Sequence, residues 1–195
     1  NEVCTPGTDN CPFNSPFDDC GILNGDGKSC WPSCGIAGDP HYNSFDGHRF
    51  SWQGVCEYVL TKECEGMFEV QVRNVAAGGS TAVSVTAAVA IKLPDNAGVI
   101  ELFRNPKLNR FNGVLLEAMD TLAVNVSFHP SRPEDTTVMI PDVGIVTWNG
   151  VSLVRVRLAP AMAGRELCGL CADSNGNPTN DEKIAMANQY WKVDG

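Results

Sequence analysis

The tetrapeptide Gly38-Asp39-Pro40-His41 contains a chemically weak peptide bond, the one between Asp39 and Pro40. The carboxylate of an aspartate in this position can attack its own carbonyl carbon, and a protonated proline nitrogen is a good leaving group. His41 lies two residues from Asp39 and is placed to donate that proton as a general acid. The tetrapeptide therefore predicts either self-cleavage in mild acid, with Asp39, Pro40 and His41 as the catalytic residues, or a rigid turn built around Pro40.

A second candidate site lies in residues 171–182, CADSNGNPTNDE. Oxygen-bearing side chains recur there at short spacing around a glycine that allows a sharp turn; they are Asp173, Asn175, Asn177, Asn180 and Asp181. Calcium in proteins takes six to eight oxygen ligands from carboxylates, amides and backbone carbonyls, so one loop can supply most of a coordination shell. The spacing differs from that of an EF-hand. The alternative interpretation is a polar turn before a capped helix.

Nine cysteines in a chain of ordinary hydrophobicity indicate an oxidising compartment and a framework of disulfide bonds. A structural zinc site is disfavoured because histidine is scarce and no two CxxC pairs occur at zinc-finger spacing. The odd number means that at least one thiol is free or bonded to a cysteine outside this chain. The single CxxC, from Cys168 to Cys171, is predicted to be structural rather than redox-active, since no thioredoxin-like βαβ pattern surrounds it.

The overall composition excludes several classes of partner and site. The 195 residues carry a formal net charge of −9, and 43% of them are hydrophobic. Nucleic acids and anionic membranes need a basic surface, so neither is a predicted partner. The longest weakly polar stretch, residues 81–93, is too short and too interrupted for membrane insertion. With only three histidines in the chain, we predict no Ser–His–Asp or Cys–His nucleophile.

Strands must position these candidate residues, because alternation with a period of two dominates the chain from residue 34 onward. It is visible in FEVQVRNV (68–75) and SLVRVRL (152–158). In VSVTAAVAIKL (83–93) it places on one face Val83, Val85, Ala87, Val89, Ile91 and Leu93. Turn-forming segments rich in Pro, Asp, Asn and Gly separate the runs. The pattern predicts an all-β fold, an antiparallel β-sandwich.

Two segments depart from this pattern. The first 33 residues hold four cysteines and almost no apolar periodicity, so we predict a Cys-rich loop segment at 1–33 and the main domain at 34–195. Near the end, residues 180–193 predict a short C-terminal helix, with Asn180 or Asp181 as its N-cap.

A glycosylation sequon begins at Asn125. Alternation in LAVNVSF (122–128) places Asn125 and Ser127 on the polar face of a strand, opposite its apolar side chains. The sequon therefore points outward, as a glycan requires, and predicts glycosylation at Asn125.

Two long segments resemble the signatures of the von Willebrand factor type D domain, a module of gel-forming mucins and other extracellular glycoproteins. They are GDPHYNSFDGHRFSWQGVCEYVL (38–60) and LCGLCADSNGNPTND (167–181), followed by YWKV (190–193). The resemblance runs from about Cys34 to the last residues, and it leaves residues 1–33 outside. Two separated motifs in the family's order make the resemblance specific.

The resemblance implies one calcium ion, held where the aspartate of FDG meets the loop after the CGLC cysteines. The implied ligands are the side chains of Asp46, Asp173, Asn175, Asn180 and Asp181, together with the backbone carbonyl of Asn177. This sequence departs from the family's usual CGN at CAD. Asp173 keeps an oxygen and adds a charge, while Ala172 in place of glycine puts the geometry of the loop in question.

The resemblance also implies the pairs Cys34–Cys171 and Cys64–Cys168. In the family the equivalent of Cys56 bonds to a cysteine in a following module, so Cys56 is expected here to be free or to form an intermolecular bond. The remaining four would then pair among themselves in one of three ways; they are Cys4, Cys11, Cys20 and Cys30.

By this resemblance the chain is a secreted, calcium-binding structural or adhesion module and not an enzyme. Its expected partners are other extracellular proteins or neighbouring modules of the same chain, with a disulfide-linked homo-oligomer as one form of assembly. The alternative is an autoproteolytic domain, because some mucin domains of this type cut themselves at the same tetrapeptide, whereas many others keep it uncut. A third hypothesis is a ligand-binding protein with a cofactor-sized cavity.

Overall fold

The computed structural model describes residues 20, 27–28, 30–79, 82–118, 125–129, 132–181 and 192–193. Within them the chain forms two seven-stranded antiparallel sheets. The strands are β1 (Ser33–Ala37), β2 (His41–Asn43), β3 (Arg49–Ser51), β4 (Glu57–Glu63), β5 (Glu69–Ala76), β6 (Ser84–Lys92), β7 (Val99–Phe103), β8 (Arg110–Phe111), β9 (Val114–Leu115), β10 (Asn125–His129), β11 (Arg132–Ile140), β12 (Gly144–Trp148), β13 (Val154–Leu158) and β14 (Leu167–Cys168).

The strand order of the first sheet is β10-β11-β12-β13-β1-β2-β3, and that of the second is β14-β4-β5-β6-β7-β8-β9. Short 3-10 turns connect some of the strands, at Pro94–Asn96, Pro106–Leu108, Leu116–Ala118 and Pro160–Met162. The inner faces of the two sheets share one hydrophobic core. The predicted all-β sandwich is therefore confirmed.

None of the helices in the described residues is long and apolar enough to span a membrane.

The alternation that predicted the strands agrees with burial in β5 and β13. Val70 and Val72 of β5 and Val154 of β13 are fully buried, whereas the side chains between buried positions are partly or fully exposed to solvent. Trp148 at the end of β12 is also buried and reaches across the core, where its indole N–H donates to the carbonyl of Phe103 at 3.4 Å. These apolar side chains remove surface from water and hold the two sheets together.

The predicted inward face of residues 83–93 is wrong in its first half. The register pairs Arg73 with Ala88 but Asn74 with Thr86, so Ala87 is an extra, unpaired residue of β6. This β-bulge shifts the alternation by one. The face predicted from Val83, Val85 and Ala87 is only half-buried, whereas Ser84 and Thr86 point inward and are fully buried.

Buried hydrogen bonds explain why polar side chains are tolerated there. The side-chain amide of Asn74 donates to the Tyr42 hydroxyl at 3.0 Å, and its oxygen accepts from the Thr86 hydroxyl at 3.1 Å. Burial raises the pKa of the Tyr42 hydroxyl far above its ordinary value, so the hydroxyl stays protonated. A buried polar cluster whose members are all paired costs little and specifies one arrangement.

Disulfide bonds join the two ends of the domain. Cys34 of β1 bonds to Cys171, and Cys64 bonds to Cys168 of β14, with Cα–Cα distances of 5.7 and 5.3 Å. These are the pairs that the resemblance implies. The bonds span sequence separations of 137 and 104 residues, and closing a loop of that length stabilises by about 4 to 5 kcal/mol in the chain-entropy model.

The other cysteines divide into three groups. Cys20 bonds to Cys30, and Cys4 and Cys11 lie outside the described residues. Cys56 carries a free thiol and is partly buried. The boundary predicted between 1–33 and 34–195 stays a prediction.

The segment between the CxxC cysteines lies against β4 and leaves no space for a side chain at Gly169. Backbone N–H groups of Leu170 and Cys171 donate to the carbonyls of Val59 and Leu60 at 3.1 and 2.8 Å. Gly169 itself has a φ of +122°, and a Cβ there would lie 2.7 Å from the Leu60 carbonyl oxygen.

We expect Gly169→Ala to destabilise the domain by about 2 kcal/mol or more, because the left-handed backbone and the clash with Leu60 act together. Gly66→Ala is the matched control, since Gly66 also has a positive φ of +95° but no atom within 4 Å of the added methyl. Urea unfolding monitored by tryptophan fluorescence measures both. Equal losses in the two variants would show that the contact with β4 is unimportant.

Candidate functional site

The turn between β2 and β3 positions Asp46. Backbone hydrogen bonds close the turn, from the N–H of Ser44 to the carbonyl of His48 at 2.8 Å and from Gly47 back to Ser44 at 3.2 Å. The N–H of Phe45 donates to the carbonyl of Cys171 at 3.3 Å, which ties this turn to the disulfide-linked loop. The Asp46 carboxylate is therefore held beside the segment that follows Cys171.

Three carboxylates meet at this place. Ligand oxygens of Asp46, Asp173 and Asp181 all lie within 4.8 Å of one another, although Asp46 is more than a hundred residues from the other two. One oxygen of Asp46 accepts hydrogen bonds from the backbone N–H groups of Asn175 and Asn177, at 3.0 and 3.2 Å. The turn and the loop are thus joined by direct hydrogen bonds.

The strongest indication of a cation is a set of buried oxygens without partners. Asp173, Asn180 and Asp181 each have an Oδ1 atom that is buried and has no hydrogen-bond partner in the described part of the chain. The other oxygen of Asp173 accepts from the amides of Asn175 and Asn180 at 2.8 and 3.2 Å, and that of Asp181 accepts from the Ser44 hydroxyl at 2.5 Å. A buried oxygen acceptor left unpaired is costly, and a hard cation would satisfy all three.

The electrostatics of the cluster lead to the same conclusion. Burial raises the pKa of the Asp181 carboxyl, and the charges of Asp46 and Asp173 raise it further, against the lowering effects of the Ser44 hydrogen bond and of His48. Like charges this close disfavour ionisation, whereas a divalent cation among them favours it. The residues therefore fit a calcium ion, which would use the carboxylate and amide oxygens as ligands.

The loop asparagines have hydrogen-bonding roles of their own. The Asn175 oxygen accepts from the N–H of Asn177 at 2.7 Å, so this side chain braces the loop. The Asn177 oxygen accepts from the N–H and the hydroxyl of Thr179 at 3.2 and 2.7 Å. The predicted ligand set of six residues is brought together in space, and as a coordination shell it stays a prediction.

The start of the terminal helix differs from its prediction. Residues 178–181 are helical, and residues 182–191 lie outside the described residues. The prediction is wrong at its end, because Lys192 forms a β-bridge with Tyr58 and Val193 is not helical. Asn177 is the N-cap, because its side chain accepts from the second helical N–H and Pro178 occupies the first helical position. The predicted N-caps, Asn180 and Asp181, lie inside the first turn instead, with their side chains in the acidic cluster.

Ala172 keeps the backbone that glycine would adopt. Its φ is +60°, in the left-handed region, and its methyl group is buried. Ser44 is the residue of this site that the sequence did not reveal. Its hydroxyl donates to Asp181, 137 positions away, and accepts from the N–H of His48 at 2.8 Å. His48 lies beside this site: it is half-buried, stacks on Phe50 and lowers the pKa of the Asp181 carboxyl.

The Asp39–Pro40 bond lies in the turn between β1 and β2, beside Gly38 with its φ of +68°. The Nε2 atom of His41 is 3.0 Å from an oxygen of the Asp39 carboxylate, and both side chains are more than half exposed. On the other side of the ring, Nδ1 of His41 lies 2.8 Å from the Ser51 hydroxyl. Ser51, His41 and Asp39 are therefore neighbours in space, and the absence of a Ser–His–Asp nucleophile stays a prediction.

The strand with the predicted sequon is only partly described. Val126 of β10 is half-buried against the core and Ser127 is exposed, as the alternation predicts. The side chain of Asn125 lies outside the described residues, so glycosylation there stays a prediction.

A family comparison agrees with this geometry. The family model of the von Willebrand factor type D domain matches residues 34–186. This range includes the disulfides Cys34–Cys171 and Cys64–Cys168 and the acidic cluster. The chain belongs to this family. The human IgGFc-binding protein is 34% identical over 204 residues, covering 99% of this chain and 4% of that protein.

Other relatives of this type D domain are similar over a smaller part of it. Chicken SCO-spondin is 33% identical over 79% of the chain, and pig zonadhesin is 31% identical over 84% of it. The chain spans only 3% and 7% of the lengths of these two proteins. The relatives are extracellular multidomain proteins, and this type D domain is accordingly extracellular.

The raised pKa of Asp181 predicts a pH dependence for the stability of the metal-free domain. A carboxyl whose pKa rises on folding holds its proton more tightly in the folded state. Its contribution to stability is therefore complete below the ordinary pKa of 3.8 and is lost as the pH rises through the higher folded value. In EDTA, we expect Asp181→Asn to gain stability relative to the native chain as the pH rises from 4 to 7.

Urea unfolding at each pH measures this difference. Asp95→Asn is the control, because it removes the same charge from an exposed turn away from the cluster. A difference between Asp181→Asn and the native chain that is constant with pH would contradict the assignment.

Proposed function

We propose that this type D domain is a calcium-binding structural and adhesion module of an extracellular multidomain glycoprotein, mucin- or matrix-like, in which it mediates assembly or protein–protein interaction. One observation carries the calcium part of the proposal: buried oxygens of Asp173, Asn180 and Asp181 have no partner among the described residues, and two of these residues, Asp173 and Asp181, form a carboxylate cluster with Asp46. Calcium there would link the β2–β3 turn to the loop between the disulfides and the terminal helix.

The assembly part of the proposal is supported by family membership and by Cys56. Relatives such as zonadhesin and SCO-spondin are far longer than this chain, so the type D domain is one part of each. Cys56 is the free thiol of the described cysteines, and it lies partly exposed just before β4. It is available to bond to a neighbouring module or to a second copy of the chain.

Calcium removal tests the first part. At a free calcium concentration about 100 times the dissociation constant, we expect the free energy of unfolding to exceed that in EDTA by about 2.7 kcal/mol, because only the folded chain has the site. Asp181→Asn should lose most of this gain, and Asp95→Asn should keep it. Scanning calorimetry measures all three proteins, and equal melting temperatures with calcium and with EDTA would refute the calcium site.

Disulfide mapping of the unreduced protein tests the assembly part in the same preparation. We expect Cys56 either as a free thiol in a monomer or bonded to Cys56 of a second chain in a dimer that Cys56→Ser abolishes. A Cys56 bonded to another cysteine of the same chain would contradict this expectation.

Self-cleavage between Asp39 and Pro40 is the second candidate function, favoured by the contact between His41 and Asp39. The Nε2 atom lies 3.0 Å from the carboxylate oxygen, and the exposed turn gives solvent protons access to both side chains. The carboxyl carbon is three bonds from the carbonyl carbon that its oxygen must attack, so the attack closes a five-membered ring, and His41 is beside the carboxylate as a proton donor for the proline nitrogen.

Incubation of the purified chain at pH 5 to 6 tests this second function. We expect two fragments on a reduced gel, one of them beginning at Pro40, and a single band without reduction because Cys34–Cys171 bridges the cut. Asp39→Asn should remain intact, since an amide is a much poorer nucleophile. A native chain that is still whole after several days would exclude self-cleavage.

A further inference from the structure

The carbonyl oxygen of Asp39 has a hydrogen-bond donor that the tetrapeptide does not contain. The side-chain amide nitrogen of Gln53 donates to it at 3.1 Å. Gln53 lies two residues after β3, in the segment that leads to β4. This carbonyl oxygen is the atom on which negative charge must develop when the Asp39 carboxylate attacks the carbonyl carbon.

The orientation of the Gln53 amide is fixed from its other side. Its oxygen accepts from the backbone N–H of Ser84 at 2.8 Å and lies 3.4 Å from the Ser84 hydroxyl. Because an amide carries an acceptor at one end and donors at the other, these bonds turn the nitrogen toward Asp39. Ser84 is fully buried at the start of β6, where the bulge at Ala87 directs it inward.

The residues that follow Asp39 are also held by hydrogen bonds. The β2–β3 register places His41 opposite Ser51, whose hydroxyl contacts the imidazole at 2.8 Å. The backbone N–H of Trp52 donates to the Pro40 carbonyl at 3.4 Å. Both sides of the Asp39–Pro40 bond are therefore anchored to the strand and segment that carry Ser51, Trp52 and Gln53.

We propose that Gln53 is a catalytic residue of the cleavage, a hydrogen-bond donor that stabilises the oxyanion on Asp39 while Ser84 holds its amide in place. The inference rests on the self-cleavage proposed above. A side-chain carboxylate oxygen of Asp39 forms a bond to the Asp39 carbonyl carbon, and the π electrons of that carbonyl move to its oxygen, which Gln53 contacts.

Collapse of this intermediate breaks the bond from carbon to the Pro40 nitrogen. The bonding electron pair stays on that nitrogen, which takes a proton from the protonated imidazole of His41. The products are a five-membered cyclic anhydride at Asp39 and a new amino terminus at Pro40. Water then opens the anhydride to the free aspartate, so the sum of the steps is hydrolysis of one peptide bond.

Gln53→Met tests the role of the amide, because methionine has a similar length and no donor. We expect the cleavage rate at pH 5 to 6 to fall by about tenfold or more, less than in a buried oxyanion hole because water reaches the exposed turn. Gln71→Met is the matched control. It removes an amide that donates to Glu69 on the outer face of β5, and the variant should cleave at the native rate.

A second measurement separates polarisation of the carbonyl from a structural role of the side chain. The chain contains a single Asp-Pro bond, so labelling aspartate with 13C at the carbonyl and proline with 15N gives one correlated NMR signal. At neutral pH, loss of the hydrogen bond from Gln53 should move the Asp39 carbonyl carbon upfield in Gln53→Met and not in Gln71→Met. Gln53→Asn, which is one methylene shorter, serves if Gln53→Met does not fold.

The outcomes for the two hypotheses differ. If Gln53→Met and Gln53→Asn fold and cleave at the native rate, the role of Gln53 is refuted while self-cleavage stands. An unchanged carbonyl signal in these variants also refutes it. If the native chain never cleaves, self-cleavage is refuted and the catalytic role of Gln53 falls with it, whatever the NMR signal shows.

Discussion

The attachment of the C-terminal loop to the front of the sandwich is the constraint on which both sites depend. Cys171 bonds to Cys34 of β1, its N–H donates to the carbonyl of Leu60, and its own carbonyl accepts from Phe45. One residue thus joins an inner strand of each sheet and the β2–β3 turn. This junction, with the hydrogen bonds from the loop to Asp46, fixes the position of Asp173 and Asp181 relative to Asp46.

The acidic cluster is costly in the absence of a cation, and the junction is what maintains it. Three carboxylates within 4.8 Å repel one another, and the buried Oδ1 atoms are deprived of water. The two disulfides at the start of the loop, Cys64–Cys168 and Cys34–Cys171, and the hydrogen bonds from the loop to Asp46 keep the charges together against that repulsion. A site held ready in this way would bind calcium with less loss of conformational entropy than a loop that must first order itself.

Much of the fold follows from local patterns, whereas the departures depend on partners that are distant in the sequence. Alternation identified β5 and β13 because each strand buries every second side chain against a continuous apolar surface. It failed at Ala87, where a bulge turns Thr86 inward to donate to Asn74, whose amide in turn donates to Tyr42 from a distant part of the sequence. The N-cap was misplaced because Asp181, predicted as a cap, instead contacts Ser44 and Asp46, which are distant in the sequence.

The same distinction applies within the sites. The carboxylates and amides of residues 173–181 are visible as a cluster because they are consecutive in the sequence, and Asp46 was found through the family motif. Ser44 and Gln53 are part of no sequence motif that would identify them as members of a site. Each acts through one hydrogen bond to a residue placed beside it by the fold, Ser44 to Asp181 and Gln53 to the carbonyl of Asp39.

The β2–β3 hairpin connects the two sites physically. Its turn contains Asp46, and its open end contains His41 opposite Ser51, with Asn43 paired to Arg49 between them. The register of an antiparallel pair is fixed at its turn, and a shift by one residue would direct His41 and Ser51 to opposite faces. The turn is held by the hydrogen bond from Phe45 to Cys171 and by the bond between Asp46 and the loop. These contacts therefore also help to keep the imidazole of His41 beside the Asp39 carboxylate. The weak bond, which directly precedes β2, and the acidic cluster, which includes Asp46 of the turn, therefore lie at opposite ends of one short hairpin.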